Sequence, residues 1–149
     1  MPSGQDDVRT AMKVAVDTFI EAPSKALERR DVSLFSSKLA STCTRHLKPS
    51  TFPDAFPEMV RAVETNTEYE SRMALQIASL EEMRYNVLDY VIDHVQCKAS
   101  VRVEQFIKPF GNDDSTMEIV WNLDFTDDGT EITRVIEFID TALPTKVLQ

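Results

Sequence analysis

Residues 115–140, STMEIVWNLDFTDDGTEITRVIEFID, read as two β-strands joined by a tight polar turn. Met117, Ile119, Trp121, Leu123 and Phe125 alternate with Glu118, Val120, Asn122 and Asp124, and a period of two sets one large apolar series on a single face of the first strand. That face is expected to be buried. Asp127, Asp128 and Gly129 supply the turn chemistry, with Gly129 free to take the positive φ that a hairpin loop needs. In the second strand, residues 132–139, Ile132, Arg134, Ile136 and Phe138 oppose Thr133, Val135, Glu137 and Ile139. Both faces are mostly apolar and each carries one charge. The strand is therefore expected to be covered on both sides, with either Arg134 or Glu137 in a largely apolar setting.

Working outward from the hairpin, residues 85–92 and 97–107 read as two further strands, reversed at 93–96, and KPFGNDD (108–114) as a loop. Residues 68–83 predict a helix capped by Thr67, with Tyr69, Met73, Ile77 and Leu80 as its inward stripe. Before it, residues 49–67 hold three prolines together with Phe52 and Phe56. An irregular stretch of that length is often a lid or a site wall. TCTRHLK (42–48) is short and β-permissive, and Pro49 ends it. Asp31 predicts the cap of a short helix over 32–39 that buries Leu34, Phe35 and Leu39. Val8, Met12, Ala15, Val16, Phe19 and Ile20 recur at helical spacing. Pro23 either kinks that helix or restarts it, and residues 1–7 are expected to be frayed. Helices, one strand, a helix and then a four-strand meander imply α+β rather than alternating α/β.

A length of 149 residues predicts one domain, 1–149, with room for a real core. The formal charge of −9, without a Lys/Arg cluster, argues against nucleic acid and against an anionic membrane surface as partners. No basic segment followed by an apolar one opens the chain and no run approaches membrane-spanning length, so an intracellular, cytoplasmic protein is expected. Cys43 and Cys97 lie far apart and are expected to be reduced. There is no G-x-S-x-G elbow, Walker loop, dinucleotide fingerprint or H-E-x-x-H, and only two histidines. No cofactor and no metal are expected.

The element order, with its C-terminal hairpin, resembles the nuclear-transport-factor-2-like fold. The local match is FTDDGTEITRVIEFIDTA (125–142), similar to the closing hairpin of SnoaL-like proteins, where an F-D-E-D-G turn precedes an R-x-x-E-F-x-D-S segment. STCTRHLKPS (41–50), a strand with a central His closed by Pro-Ser, resembles fungal members. The resemblance spans most of residues 8–142. It implies a cone of three N-terminal helices packed on a strongly curved, mixed but mostly antiparallel sheet, an α+β barrel. It also points to small, cofactor-free fungal enzymes of secondary metabolism, including the terretonin and austinol pathway isomerases, which rearrange lactone rings of meroterpenoids.

On that scaffold the first strand lines the cavity mouth with alternate residues, so Thr44, His46 and Lys48 would share one face and Cys43, Arg45 and Leu47 the other. His46 is the first catalytic candidate, as a general acid or base; its bland reading is a rim histidine with one hydrogen bond. Glu137 is the second. The Glu of R-x-x-E-F points inward in SnoaL-like proteins, which would set Val135, Glu137 and Ile139 beside Trp121. A carboxylate in an apolar cavity has its charged form destabilised, which suits acid-base work, although a structural pair with an arginine such as Arg72 is the plain alternative. Val101, Val103, Met117, Ile119, Trp121 and Leu123 would be the apolar lining or simply core. Tyr69, Arg72, Glu58 and Glu64 are candidate polar contacts at the mouth, with solvated surface as the competing reading. His94 sits in a predicted turn, so a histidine pair of the scytalone dehydratase kind is not expected. The sequence thus predicts an isomerase or cyclase acting on a bulky polycyclic meroterpenoid or polyketide, with a ligand carrier or protein-interaction module as the alternative. The apolar outer sheet face, with Val120, Ile136 and Phe138, predicts a homodimer.

Overall fold

The computed structural model describes residues 4–58 and 60–140. Of the expected fraying over 1–7, residues 1–3 lie outside the described residues, as do positions 141–142 of the closing-hairpin match, and residues 4–7 are instead helical. Helix α1 (Gly4–Arg29) begins ahead of Val8, where the apolar periodicity starts, and runs without interruption through Pro23. Its buried stripe, Met12, Ala15, Val16, Phe19 and Ile20 followed by Ala22, Pro23, Ala26 and Leu27, continues across the proline. Packing of that face outweighs the hydrogen bond that Pro23 cannot make. Arg30, at φ 52, ends the helix, and its guanidinium donates to the Ile77 carbonyl at 2.6 Å. A positive charge is thereby set on the C-terminal turn of helix α3 (Asn66–Ala78).

Asp31 caps as expected, accepting from the Ser33 amide, but the helix that follows is a 3-10 turn confined to Val32–Ser36. Leu39 instead opens β1 (Leu39–Lys48). Within the irregular stretch lie a short helix α2 (Thr51–Ala55) and a short strand β2 (Val63–Thr65). The cap of α3 is Thr65 rather than Thr67: its side chain accepts from the Glu68 amide, and the Glu68 carboxylate accepts from the Thr65 amide. These bonds hold the Glu68 carboxyl below its ordinary range. Thr65→Ala is expected to cost about 1 kcal/mol, read as a lower midpoint of urea unfolding at unchanged slope. The helix predicted to reach 83 stops at Ala78, and Leu80 and Met83 are buried as the first part of β3 (Leu80–Asp93).

Strands β4 (Lys98–Pro109), β5 (Ser115–Phe125) and β6 (Ile132–Ile139) complete one six-stranded sheet in the order β2-β1-β6-β5-β4-β3. Only β1 and β6 run parallel. The sheet is mixed and mostly antiparallel, as expected, and among the described residues it is open, with β2 and β3 as its edges. Register shifts interrupt β1, β3 and the start of β6; such irregularities bend strands and let the sheet wrap around the helices. The architecture is the α+β cone that the element order implies.

Helix α1 fills the narrow end. Met12, Val16 and Phe19 pack on Val101, Val103, Trp121, Leu123 and Val135 in the main apolar cluster. The hairpin turn is tied down by Asp128, whose carboxylate accepts from Thr126 and from the Thr130 amide and hydroxyl and is pulled to about 2 by those bonds. Gly129, at φ 75, lies directly beneath α1: a Cβ there would sit 2.6 Å from the Val8 carbonyl oxygen and 2.8 Å from Met12 Cγ.

Candidate functional site

The register of β6 decides which charge is enclosed. Trp121 on β5 is the cross-strand partner of Glu137, and Leu47 on β1 flanks Glu137 on the other side. Directly paired residues share a face, so Val135, Glu137 and Ile139 point into the cone. Arg134 points out, where it pairs with Asp124 at 2.7 Å. The inward register anticipated for Glu137 is the one observed.

The wide end of the cone holds a cavity of about 310 Å³. Met83, Ile107, Met117, Ile119 and Ile139 give it apolar walls, and Phe52 of α2 closes part of it. The Phe52 and Phe56 rings lie with centroids 5.5 Å apart and planes tilted by 51°, and with Phe52 and Val60 both lining the cavity the proline-rich stretch does wall the site. Polar atoms enter from Tyr69, Arg72 and Gln76 on α3, Tyr85 on β3, Gln105 on β4 and Glu137 on β6.

Glu137 is anchored on one oxygen, where Trp121 Nε1 donates to Oε1 at 2.7 Å. Arg45 approaches the same oxygen at 3.9 Å, with side-chain exposures of 8% for the arginine and 14% for the glutamate. The guanidinium lies 3.6 Å from the Tyr69 ring centroid, a cation–π contact. Oε2 of Glu137 carries no hydrogen bond among the described residues. Burial raises the Tyr69 hydroxyl, Arg45 and Arg72 opposing and Glu137 adding to the shift. Burial raises Tyr85 well above its ordinary value, with Tyr69 and Glu137 adding to it. Both phenols therefore remain protonated donors at neutral pH. Gln105 Nε2 donates to the Tyr85 oxygen at 2.6 Å, which leaves the Tyr85 proton for another acceptor.

His46 does not join this group. It pairs with Ile136 of β6, while Thr44 pairs with Arg134 and Lys48 with Phe138. The alternate face, Cys43, Arg45 and Leu47, is the one that turns inward. Thr44, His46 and Lys48 are thus on the outer face of the sheet, and the expectation that they line the mouth is corrected. His46 shares a hydrogen bond of 3.0 Å with Thr44. Burial, then the positive charges of Arg134 and Lys48, lower its pKa and keep the ring neutral at pH 7.

Of the expected apolar lining, Met117 and Ile119 face the cavity. Val101, Val103, Trp121 and Leu123 are packed core at the narrow end beneath α1, so their assignment as substrate contacts is corrected too. Tyr69 and Arg72 reach the cavity as expected. Arg72 pairs with Glu64 rather than Glu137, its Nε and Nη2 donating to the two carboxylate oxygens at 2.8–3.2 Å. Glu64 is buried, whereas Glu58 is exposed in the segment that follows α2. Among the polar groups of the site, Gln76, Tyr85, Gln105 and Arg45 are those that sequence reasoning missed. The alternation Val101, Val103, Gln105, Ile107 already placed Gln105 on the inner face. The apolar neighbours of Arg45 at i±2, Cys43 and Leu47, carried the same message. Among the described residues no group of three or more His, Cys, Asp or Glu converges as a metal ion would require, and no helix is long and apolar enough to cross a membrane.

No protein-family model matches the sequence, and no curated protein matches it. Solved structures do match. The crystal structure of BvnE pinacolase from Penicillium brevicompactum superposes with a TM-score of 0.83 at 14% identity, over 99% of this chain and 94% of its own. AusH from Aspergillus nidulans does so with a TM-score of 0.74 at 20% identity, over 89% and 86%. An NTF2-like protein of unknown function from Burkholderia pseudomallei gives 0.64 at 13% identity, over 86% and 92%. Likeness at these identities is one of fold: the chain has the nuclear-transport-factor-2-like cone, a fold that fungal proteins share.

Proposed function

We propose that this protein is an intracellular, cofactor-independent isomerase or cyclase of fungal secondary metabolism, rearranging the rings of a bulky polycyclic meroterpenoid or polyketide by general acid-base catalysis. The observation that carries the reading is Glu137. One of its oxygens is held by Trp121 and faced by Arg45, and the other carries no hydrogen bond among the described residues, in a side chain on the wall of a largely apolar chamber that also contains two protonated phenols. In the mechanism, Glu137 Oε2 takes a proton from a carbon next to a carbonyl, or from a hydroxyl. The electron pair left behind moves onto the carbonyl or alkoxide oxygen, which accepts hydrogen bonds from Tyr85 and Tyr69. Ring opening or migration follows, and Glu137 returns its proton to the new position. Apolar walls keep bulk water away and hold the intermediate in a reactive geometry. The occurrence of a pinacolase on the same cone supports an enzyme reading.

The test is incubation with polycyclic ketones and lactones in D2O, with deuterium uptake and product formed both read by mass spectrometry. Exchange at a carbon next to the carbonyl, or a rearranged isomer, is the expected result. Tight binding without exchange or product overturns the enzyme reading in favour of a carrier.

The proposal includes a homodimer through the outer sheet face. Val91 and Phe138 stand 63% and 41% exposed there, with Val120 paired to Phe138 and Ile136 on the same face. Sedimentation at micromolar concentration is expected to give twice the monomer mass, and Phe138→Glu to give the monomer. A wild-type monomer under those conditions removes the dimer from the proposal.

A further inference from the structure

The geometry points to Arg72 as a carbonyl-reading subsite at the neck of the cavity, one that selects a neutral ketone or lactone oxygen on the substrate's ring system over a carboxylate. This inference deepens the proposed function and rests on it. Outside the cavity lies a second depression of about 520 Å³, walled by residues of the 57–68 segment and the outer side of α3. Val60 and Arg72 line both spaces, so Arg72 is the polar side chain common to them among the described residues. Arg72 is thus part of the wall that the two spaces share.

The guanidinium is fixed. Glu64, 5% exposed, engages Nε and Nη2, while Arg72 itself is 33% exposed. Its carbon sits 5.1 Å from the Tyr69 ring centroid. Nη1 carries no hydrogen bond among the described residues. A rigid fork with one end clamped offers its free end at little entropic cost, which is the condition under which a single hydrogen bond adds selectivity.

Charge decides what that end accepts. Around the depression, Glu58, Glu64 and Glu68 face Arg61 and Arg72, three carboxylates against two guanidinium groups, while on the cavity side Glu137 is faced by Arg45. A carboxylate ligand approaching through the depression meets that net negative charge. A neutral carbonyl keeps the charge-assisted hydrogen bond without that repulsion.

The experiment titrates the protein with 2-decalone, decalin and decalin-2-carboxylate, following the emission of Trp121, the chain's one tryptophan, which lies against Glu137. The ketone is expected to bind about 10-fold tighter than the hydrocarbon, with the carboxylate weaker than the ketone. Arg72→Met is expected to bring the ketone to the level of decalin. Because that variant strands the Glu64 carboxylate, Arg72→Lys, which keeps the pair and loses the fork, is the second test and is expected to do the same. A ketone preference that survives in Arg72→Lys, or a carboxylate that binds tightest, overturns the subsite. If none of the three binds the wild-type protein, the subsite and the proposed function fall together. A ketone preference lost with Arg72, beside deuterium exchange untouched in Glu137→Gln, leaves the subsite standing and removes the base assignment.

Discussion

Glu137→Gln is expected to lower turnover by about 100- to 10,000-fold, the usual span of a positioned acid-base group, while ligand binding followed through Trp121 is retained. The amide keeps an oxygen for the Trp121 indole, so the side chain stays in place and what is lost is the ability to take a proton. Some stability goes with it. Arg45 is 8% exposed and faces Glu137 at 3.9 Å, and removing the charge opposite a buried guanidinium is destabilising. Glu137→Asp separates the two effects, since it keeps the charge near Arg45 but withdraws the carboxylate by one methylene. It is expected to lose activity with a smaller fall in Tm. His46→Ala, on the outer face, is expected to leave turnover unchanged. Full activity in both Glu137 variants would remove the glutamate from the mechanism, and loss of activity in His46→Ala alone would redirect attention to the outer face.

The largest stability effect is expected at Gly129. Gly129→Ala places a side chain at φ 75 and drives its Cβ to 2.6 Å from the Val8 carbonyl oxygen. The left-handed backbone costs about 1–2 kcal/mol, and forcing the turn away from α1 adds about 1–3 kcal/mol. Together these are a large share of the stability of a domain this size. Gly111 is the natural control: it has nearly the same angle, φ 74, and a Cβ added there would meet nothing within 4 Å. Gly111→Ala is expected to show the backbone cost alone. Thermal melts of the two variants therefore measure the contact between turn and helix by difference, and equal shifts would mean that this contact contributes nothing.

The hairpin that closes the sheet was legible because its period of two is unbroken from Met117 to Phe125 and its turn residues are specific. What composition and periodicity left open was the register of β6, where both faces are apolar and each bears one charge. Only the neighbours decide it: Trp121 supplies an N–H for Glu137, and Asp124 a partner for Arg134. His46 was misplaced for a different reason. Thr44, His46 and Lys48 form the polar set of β1, and Cys43, Arg45 and Leu47 the more apolar one. The plain amphipathic rule pointed the histidine outward, and the expectation borrowed from fold resemblance ran against it. The exception within that rule was Arg45, which β1 carries inward, where the Glu137 carboxylate and the Tyr69 ring receive it. Tyr85 escaped notice because it is half-buried on an edge strand, and its orientation depends on Gln105 across the ladder.

The parallel pairing of β1 with β6 also governs how the protein comes to be made. β6 is the last strand in sequence order, yet it lies between β1 and β5 at the middle of the sheet. During synthesis the early strand emerges from the ribosome long before its partner exists, with the inner edge of β1 unpaired and Arg45 without its counter-charge. The meander of β3, β4 and β5 can zip locally, but the cone closes only when β6 threads between strands already present. Such long sequence separations slow folding and prolong the lifetime of open sheet edges. Truncation just before residue 132 therefore yields a species that lacks both its central strand and its Glu137.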